Sequence, residues 1–441
     1  MISLSIGVAA SVIWIYLLSA RGRFWRCSEL LPPAAATDLE SGGPWPSVAA
    51  IVPARDEAET IEKSVGCLLR QDHPGAVSVT VVDDESTDGT AAAAVAAADA
   101  AAVDGHRPRD LAVLAGAPPR PGWTGKIWAM RQGLAAIGAK EAQLEYVLFV
   151  DADIALAPDV LRRLVALARA RGAALASLMV KLHCTTFAEK QFVPAFVFFF
   201  RMLYPFAWVN DPRRRTAAAA GGCMLVRRDA LSATGGLDAI KGALIDDCAL
   251  GALMKRAGPI WLGLTDDAAS LRVYRTAPDF GRMVARSAFA ELRFSAWRLA
   301  AAIAGLGLTF VAPPLLALFA HGPARAAGAL SWAMMAVAFA PTLRLYRQPV
   351  IQGLALPAVA AAYAAFTLLS AANHWRGRGG LWKGRFQASM AKVGQAVTPE
   401  LSPPRSVVEE LAPPHGPRPE APLRALRPEA ASKDEFMRRL R

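Results

Sequence analysis

Two apolar runs too short to be helices stop on clustered carboxylates, and that pattern limits the folds open to this chain. Val147-Leu148-Phe149-Val150 is aliphatic and aromatic and ends on Asp151-Ala152-Asp153, while Val77–Val82 ends on Asp83-Asp84-Glu85. Runs of this length and composition read as buried strands. Around them the spacing alternates. Ser47–Pro53 reads as a first strand, and Ile61, Val65, Leu68 and Leu69 have helical spacing. The alanine run Ala91–Ala102 is a helix by propensity, Leu111–Leu114 is a short strand, and Gly122-Trp123-Thr124-Gly125-Lys126 opens a helix over Ile127–Leu134. Strand–helix alternation argues for an α/β fold with a parallel sheet covered on both faces. Ligands of such sheets sit beyond the carboxyl ends of the strands, so two acidic loops are expected on one edge. Asp151 and Asp153 offer hard oxygen ligands to Mg²⁺ or Mn²⁺, and a cation held by few carboxylates keeps positions open for substrate phosphates. Alone, an Asp-x-Asp is as readily a surface turn with two solvated aspartates.

The chain of 441 residues is 54% apolar and only 20% charged. That is too greasy for an ordinary soluble enzyme and implies membrane spans around a polar domain. Ile2–Leu18 carries no charge and is followed by Arg21, Arg23 and Arg26. Because the positive charge comes after the apolar run, an uncleaved span fits better than a signal peptide, with its C-terminal side in the cytoplasm. Three late stretches, about Leu299–Ala320, Ala326–Leu345 and Val350–Ala372, are each near spanning length. If all three cross, the basic cluster at Arg376, Arg378, Lys383 and Arg385 falls outside, against the positive-inside tendency. Leu299–Ala320, with Pro313-Pro314, is the expected re-entrant exception. The resulting division is an N-terminal helix (1–20), a linker (21–46), a catalytic domain (47–298), a membrane region (299–372), a basic juxtamembrane segment (373–396) and a proline-rich, disordered tail (397–441), whose last ten residues suit a short helix.

A net charge of +12 favours anionic lipid surfaces and phosphorylated ligands. It is spread along the chain without a recognition-module pattern, so nucleic acid is not an expected partner. The five cysteines are odd in number and lack a Cys-x-x-Cys pair, and they read as small buried residues rather than a disulfide frame or zinc site. Gln191–Val209 holds six phenylalanines, a tyrosine and a tryptophan around Arg201 and reads as a helix lying at the membrane interface, with a core helix as the alternative. Ala217–Val226 reads as a glycine-kinked strand, where Gly221 and Gly222 permit close approach. Asp246 and Asp247 open a helix, a position the helix dipole favours in any case.

In order and spacing, VPARDE (Val52–Glu57), VVDDESTDGT (Val81–Thr90), GWTGK (Gly122–Lys126), VDAD (Val150–Asp153), GGCML (Gly221–Leu225) and IDDCALG (Ile245–Gly251) resemble a family 2 glycosyltransferase of GT-A fold. GWTGK-x-WA, ARSAFAELRFS (Ala285–Ser295) and the three late apolar runs resemble the hopene-associated bacterial membrane subgroup. The resemblance implies transfer of a sugar from a nucleoside diphosphate sugar, a UDP-sugar by preference, to a lipid acceptor in the bacterial inner membrane. It assigns Asp56 and Asp84 to the nucleotide base and ribose, with Glu57, Asp83, Lys126, Asp151 and Gly222 nearby. Asp153, helped by Asp151, would hold the divalent cation that neutralises the diphosphate leaving group. Asp247 matches the general base, supported by Asp246, in one displacement that inverts the anomeric centre. Relatives with lipid acceptors carry (Q/R)-x-x-R-W after the base. Here Arg282, Arg286 and Ser287 stand there, with a tryptophan only at Trp297. Arg286 is assigned to the diphosphate, and the missing tryptophan argues against processive, cellulose-synthase-like transfer.

Two other readings use the same chain. One is a sugar transferase making polyprenyl-phosphate or ceramide-type glycolipids, and the other a catalytically inactive membrane scaffold. A nucleotidyltransferase would carry a glycine- and arginine-rich N-terminal phosphate loop, which Val52–Glu57 is not. The reading fails if Asp84, Asp153 and Asp247 lie on separate surfaces with no shared cleft.

Overall fold

The computed structural model describes residues 1–33, 44–103, 110–138, 144–383 and 385–386. Residues 34–43 of the linker, and the proline-rich tail for which a short terminal helix is expected, lie outside the described residues. β1 (Ser47–Ala54), β2 (Val77–Asp83), β3 (Asp110–Ala115) and β4 (Leu144–Val150) are the strands expected from the apolar runs. β5 (Ile154–Leu156), β6 (Leu175–Lys181), β7 (Cys223–Arg227) and β8 (Ile260–Ser270) complete one sheet in the order β3-β2-β1-β4-β7-β6-β8-β5. β1 pairs in parallel with β2 and β4, and β2 with β3. β7 runs antiparallel to both β4 and β6, and β5 runs antiparallel to β8. This mixed, mostly parallel α/β sheet is the GT-A arrangement that the motifs imply.

β1 is buried along nearly its whole length, as is β4. Both therefore read as continuous apolar runs rather than alternating ones, as expected for strands covered on both faces. Helices Ala58–Leu69, Thr90–Val103 and Gly125–Gly138 follow β1, β2 and β3 in sequence. Gly133 sits where an added Cβ would lie 2.6 Å from the Ile51 side chain, so that helix reaches the sheet only because this position is glycine.

Among the described residues five helices are long and apolar enough to cross a membrane: Ile2–Ser19, Phe187–Val209, Ala296–Phe319, Gly322–Leu345 and Val350–Trp375. The first packs parallel to Gly322–Leu345 through small residues. A Cβ on Gly7 would meet Ala327 at 3.0 Å, and Ser11 Oγ lies 2.9 Å from Ser331 Oγ. Close backbones joined by hydroxyls are the usual solution where lipid removes the hydrophobic drive for association.

Ala296–Phe319 carries a π turn at Gly307–Val311, just before Pro313 and Pro314. A helical Thr309 carbonyl would take its hydrogen bond from residue 313, which as proline has no N–H. The Trp14 indole N–H donates to that carbonyl instead, at 2.8 Å. The orphaned backbone group of one apolar helix is thus satisfied by a side chain of another, as a low-dielectric setting requires.

The aromatic segment differs from its expected surface position. Phe187–Leu203 is packed inward: Phe198 is fully buried, Phe199 nearly so, and they lie edge-on to Phe24, Phe310, Phe339 and Tyr363. Aromatic side chains that bury large areas and interlock edge to face make this helix the joint between the sheet and the apolar helices. The chain after the last apolar helix returns to the sheet, where Lys383 Nζ donates to the Asp56 carbonyl at 2.7 Å.

Candidate active site

Strand register gathers the acidic residues. Val150 of β4 pairs with Cys223 of β7, so Asp151 and Gly222 are neighbours and the Asp151 N–H donates to the Gly222 carbonyl at 3.3 Å. Ile154 of β5 pairs with Ser270 of β8. That pairing sets Arg272, just past β8, against Asp153, with Nε 2.9 Å from Oδ2. The helix Asp246–Ala257 begins beside Gly221, whose N–H donates to Asp247 Oδ2 at 3.0 Å. A Cβ on Gly221 would lie 3.3 Å from Lys126 Nζ and 3.4 Å from Asp247 Oδ2. Glycine therefore keeps the space between Asp247 and Lys126 open.

Lys126 is the electrostatic hub. It stands in the first turn of its helix, where the dipole disfavours a cation. Its Nζ lies 2.7 Å from Asp151 Oδ1 and 3.0 Å from Asp246 Oδ2. Burial works against its charge, but Asp151 and Asp246 outweigh burial and hold its pKa above the ordinary lysine range. Asp151 is itself pushed up, chiefly by burial, against the pull of Lys126. Burial and the neighbouring Asp246 raise Asp247 to about 6, opposed by Lys126 and by backbone hydrogen bonds from Cys248 and Gly221. A carboxylate of that pKa is ionised at neutral pH yet basic enough to take a proton.

A second cluster lies beside the first. Glu57 Oε1 is 2.6 Å from Arg272 Nη2 and 3.1 Å from Lys383 Nζ. Burial raises the Glu57 pKa against the lowering effect of these two cations. Arg272 therefore serves Glu57 and Asp153 together, and both carboxylates hold its charge above the ordinary arginine range despite burial.

One cavity of about 1230 Å³ joins these groups. Its polar end is lined by Glu57, Lys126, Asp151, Asp153, Asp246, Asp247, Arg272 and Lys383, and Gly222 is on its wall. Arg282, Arg286 and Ser287 also line it. Its other end is apolar and runs between the long helices, past Ile13, Leu17, Phe199, Leu306, Phe310 and Tyr363.

The structure brings Asp153 and Asp247 to a shared cleft, with Glu57, Asp151, Asp246 and Lys126. Asp56, Asp83 and Asp84 are not on its wall. They build the adjoining loops: Asp56 Oδ1 accepts from the Thr87 N–H at 2.9 Å and Asp83 Oδ1 from the Ser86 N–H at 3.0 Å. Asp84 is fully buried, 3.8 Å from Arg55 Nη1. Asp56 and Asp84, expected to hold base and ribose, thus stand outside the lining of this cavity. The loops in which these residues are locked edge it instead. Arg272 and Lys383 were not expected. Arg272 is a single basic residue outside any acidic or glycine motif and Lys383 is one of a basic juxtamembrane cluster, and only β8 pairing and the return of the last segment reveal them as neighbours of the site.

Asp151 and Asp153 present the oxygen donors that Mg²⁺ or Mn²⁺ prefers. Among the described residues no group of three or more His, Cys, Asp or Glu side chains forms a ready metal site. Two carboxylates fit a cation whose coordination is completed by substrate phosphates.

The sequence profile of glycosyltransferase-like family 2 matches residues 46–266. An N-acetylglucosaminyltransferase of Mesorhizobium japonicum is 31% identical over 219 residues, covering 47% of this chain and 45% of that protein. The chain thus spans about half the length of the curated relative it matches. Among solved structures, a mannosyltransferase from Pyrobaculum calidifontis in complex with GDP-Man and Mn²⁺ is similar at TM-score 0.48 and 20% identity, covering 85% of this chain and 99% of that one. Glucosyl-3-phosphoglycerate synthase from Mycobacterium tuberculosis, with Mg²⁺ and UDP, is similar at TM-score 0.35 and 18% identity, covering 57% of this chain and 79% of that one.

Proposed function

The chain belongs to glycosyltransferase-like family 2, and on that footing we propose that it moves a sugar from a nucleoside diphosphate donor to a lipid acceptor. The observation that carries the reading is the single cavity, polar and charged at the sheet edge and apolar among the long helices. A soluble acceptor would need no such greasy annex. The likeness to an N-acetylglucosaminyltransferase supports a hexose or N-acetylhexosamine as the transferred group.

Lys126 and Arg272 draw the anionic donor to the strand ends, and Asp151 and Asp153 would hold the divalent cation. A cation held there would neutralise the charge that develops on the departing diphosphate. Asp247 takes the proton of the acceptor hydroxyl as that oxygen bonds to the anomeric carbon and the bond to the diphosphate oxygen breaks. One displacement of this kind inverts the anomeric centre. Gly221 holds Asp247 in place through its N–H, and Asp246 keeps Lys126 close.

The acceptor we favour is a polycyclic, hopanoid-like lipid, supported by the GWTGK and ARSAFAELRFS resemblance. A polyprenyl-phosphate acceptor is the second reading, supported by Arg282 and Arg286, cations a neutral lipid would not require. Incubating membranes with a panel of labelled nucleotide sugars and both lipid classes, then analysing the lipid fraction, separates the two. Label that stays out of the lipid fraction with every donor defeats both.

For the membrane, we propose that Ile2–Ser19, Ala296–Phe319 and Gly322–Leu345 cross and that Val350–Trp375 does not. Tyr346 and Lys383, which flank that last helix, both touch the sheet domain: the Tyr346 hydroxyl accepts from the Leu182 N–H at 3.3 Å, and Lys383 holds Asp56 and Glu57. This differs from the expected exception, Leu299–Ala320. It keeps Arg376, Arg378 and Lys383 on the side of Arg21, Arg23 and Arg26, and the positive-inside tendency then makes the domain cytoplasmic. Cysteines placed at His321 and Arg378 should be labelled from opposite faces of sealed vesicles. Labelling from the same face would overturn the arrangement.

A further inference from the structure

The segment after the last apolar helix reaches the donor end of the cavity, and we infer that Lys383 is a binding residue for the donor diphosphate. The inference rests on the donor-site reading above. The turn that brings the chain back uses Gly377 and Gly380, at φ +69° and +68°, a left-handed conformation that glycine adopts without strain. Arg55 then secures the returning backbone: its Nε donates to the Lys383 carbonyl at 3.1 Å, while its Nη1 donates to the Asp84 carbonyl. Lys383 is therefore held against the same loop that carries Glu57.

Its side chain is not an exhausted structural ion. It remains 20% exposed and lines the cavity with Arg378, Gly379 and Gly380. An ammonium has three N–H donors. One goes to the Asp56 carbonyl at 2.7 Å and one faces Glu57 Oε1 at 3.1 Å, which leaves one for a ligand. Glu57 shares Arg272 with Asp153. When Asp153 takes a cation in place of Arg272, the guanidinium is free to turn to the diphosphate, and Lys383 is the cation that stays with Glu57. Lys383 thus adds positive charge at the point where the donor's phosphates must lie and keeps Glu57 compensated.

The test is titration calorimetry of UDP and GDP, each with Mn²⁺, against full-length wild type, Lys383→Gln and Lys383→Arg in micelles, with uridine and guanosine as uncharged controls. Gln keeps a donor for the Asp56 carbonyl but no charge, whereas Arg keeps the charge. Diphosphate binding should weaken about tenfold or more in Lys383→Gln, the scale of a charge-assisted hydrogen bond, and be largely retained in Lys383→Arg. Nucleoside binding should be the same in all three proteins, and donor KM should rise in Lys383→Gln with little change in kcat. Equal diphosphate affinity for wild type and Lys383→Gln would overturn the role of Lys383 alone. A wild type that binds neither diphosphate would overturn the donor site itself, and this inference with it.

Discussion

Replacing Asp247 with asparagine should remove activity and add stability, and both effects follow from the same carboxylate. In the fold Asp247 is raised from an ordinary 3.8 to about 6, by burial first and by Asp246 next. At about 1.4 kcal/mol per tenfold change in an ionisation equilibrium, the disfavoured charge costs about 3 kcal/mol at most, an upper bound because water reaches part of the group. The cost is absent below pH 4, where the carboxyl is protonated in folded and unfolded chains alike. It grows through the interval up to pH 6 and is complete above it. The carboxylate oxygens accept from the Gly221 and Cys248 N–H groups at 3.0 and 2.7 Å. An asparagine amide carries no charge and keeps one oxygen to accept from one of these N–H groups, leaving the other without its acceptor at a pH-independent cost of about 1–2 kcal/mol. We therefore expect the melting temperature of Asp247→Asn, relative to wild type, to rise between pH 4 and pH 7.5 and to stand above wild type at the higher pH, followed by tryptophan fluorescence in micelles. Its transfer rate should fall by ~10²–10⁴, the usual worth of general-base help, with donor affinity unchanged. Wild-type kcat/KM should climb through pH 6 to a plateau, and that acidic limb should be missing from the residual activity of the variant. A variant that turns over within a few fold of wild type, or that keeps the limb, would refute the assignment of the base.

Lys126→Met should move the same limb to higher pH, because Lys126 lowers the Asp247 pKa; a limb that stays in place or falls would contradict the charge coupling. Asp153→Asn should abolish the dependence of nucleotide binding on Mn²⁺ or Mg²⁺, read by calorimetry with and without chelator, and persisting dependence would exclude Asp153 as the ligand. Trp14→Phe should cost about 1–2 kcal/mol by leaving the Thr309 carbonyl unpaired. Adding Pro313→Ala, which restores a backbone N–H, should recover part of that loss. An unchanged melting temperature for the single variant would show that the indole bond contributes nothing.

The strands that carry the acidic loops were legible because each is a short β-prone run, rich in valine and ending in turn residues. β5, β6 and β8 were not, since β5 has only three residues and the other two lie among helices of similar composition. At the site, Asp151, Asp153, Asp246 and Asp247 could be named in advance, as paired carboxylates at element ends leave a local signature. Arg272 leaves none: its place depends on the pairing of Ile154 with Ser270, far along the chain. Asp84 presents the opposite difficulty. Its motif is prominent, yet the side chain is sealed beneath Arg55, and no local pattern separates a carboxylate that faces ligand from one that props a loop. The aromatic helix was misplaced because interfacial and core aromatics share one composition, and only the partner rings decide.

Because polar and greasy compartments form a single void, whatever amphiphile fills the far end stands within reach of the reacting groups. Solubilising surfactants with slim alkyl tails should therefore behave as rivals of the natural acceptor, depressing turnover in proportion to micelle concentration. Reconstitution into a lipid disc should restore it without any change in the protein.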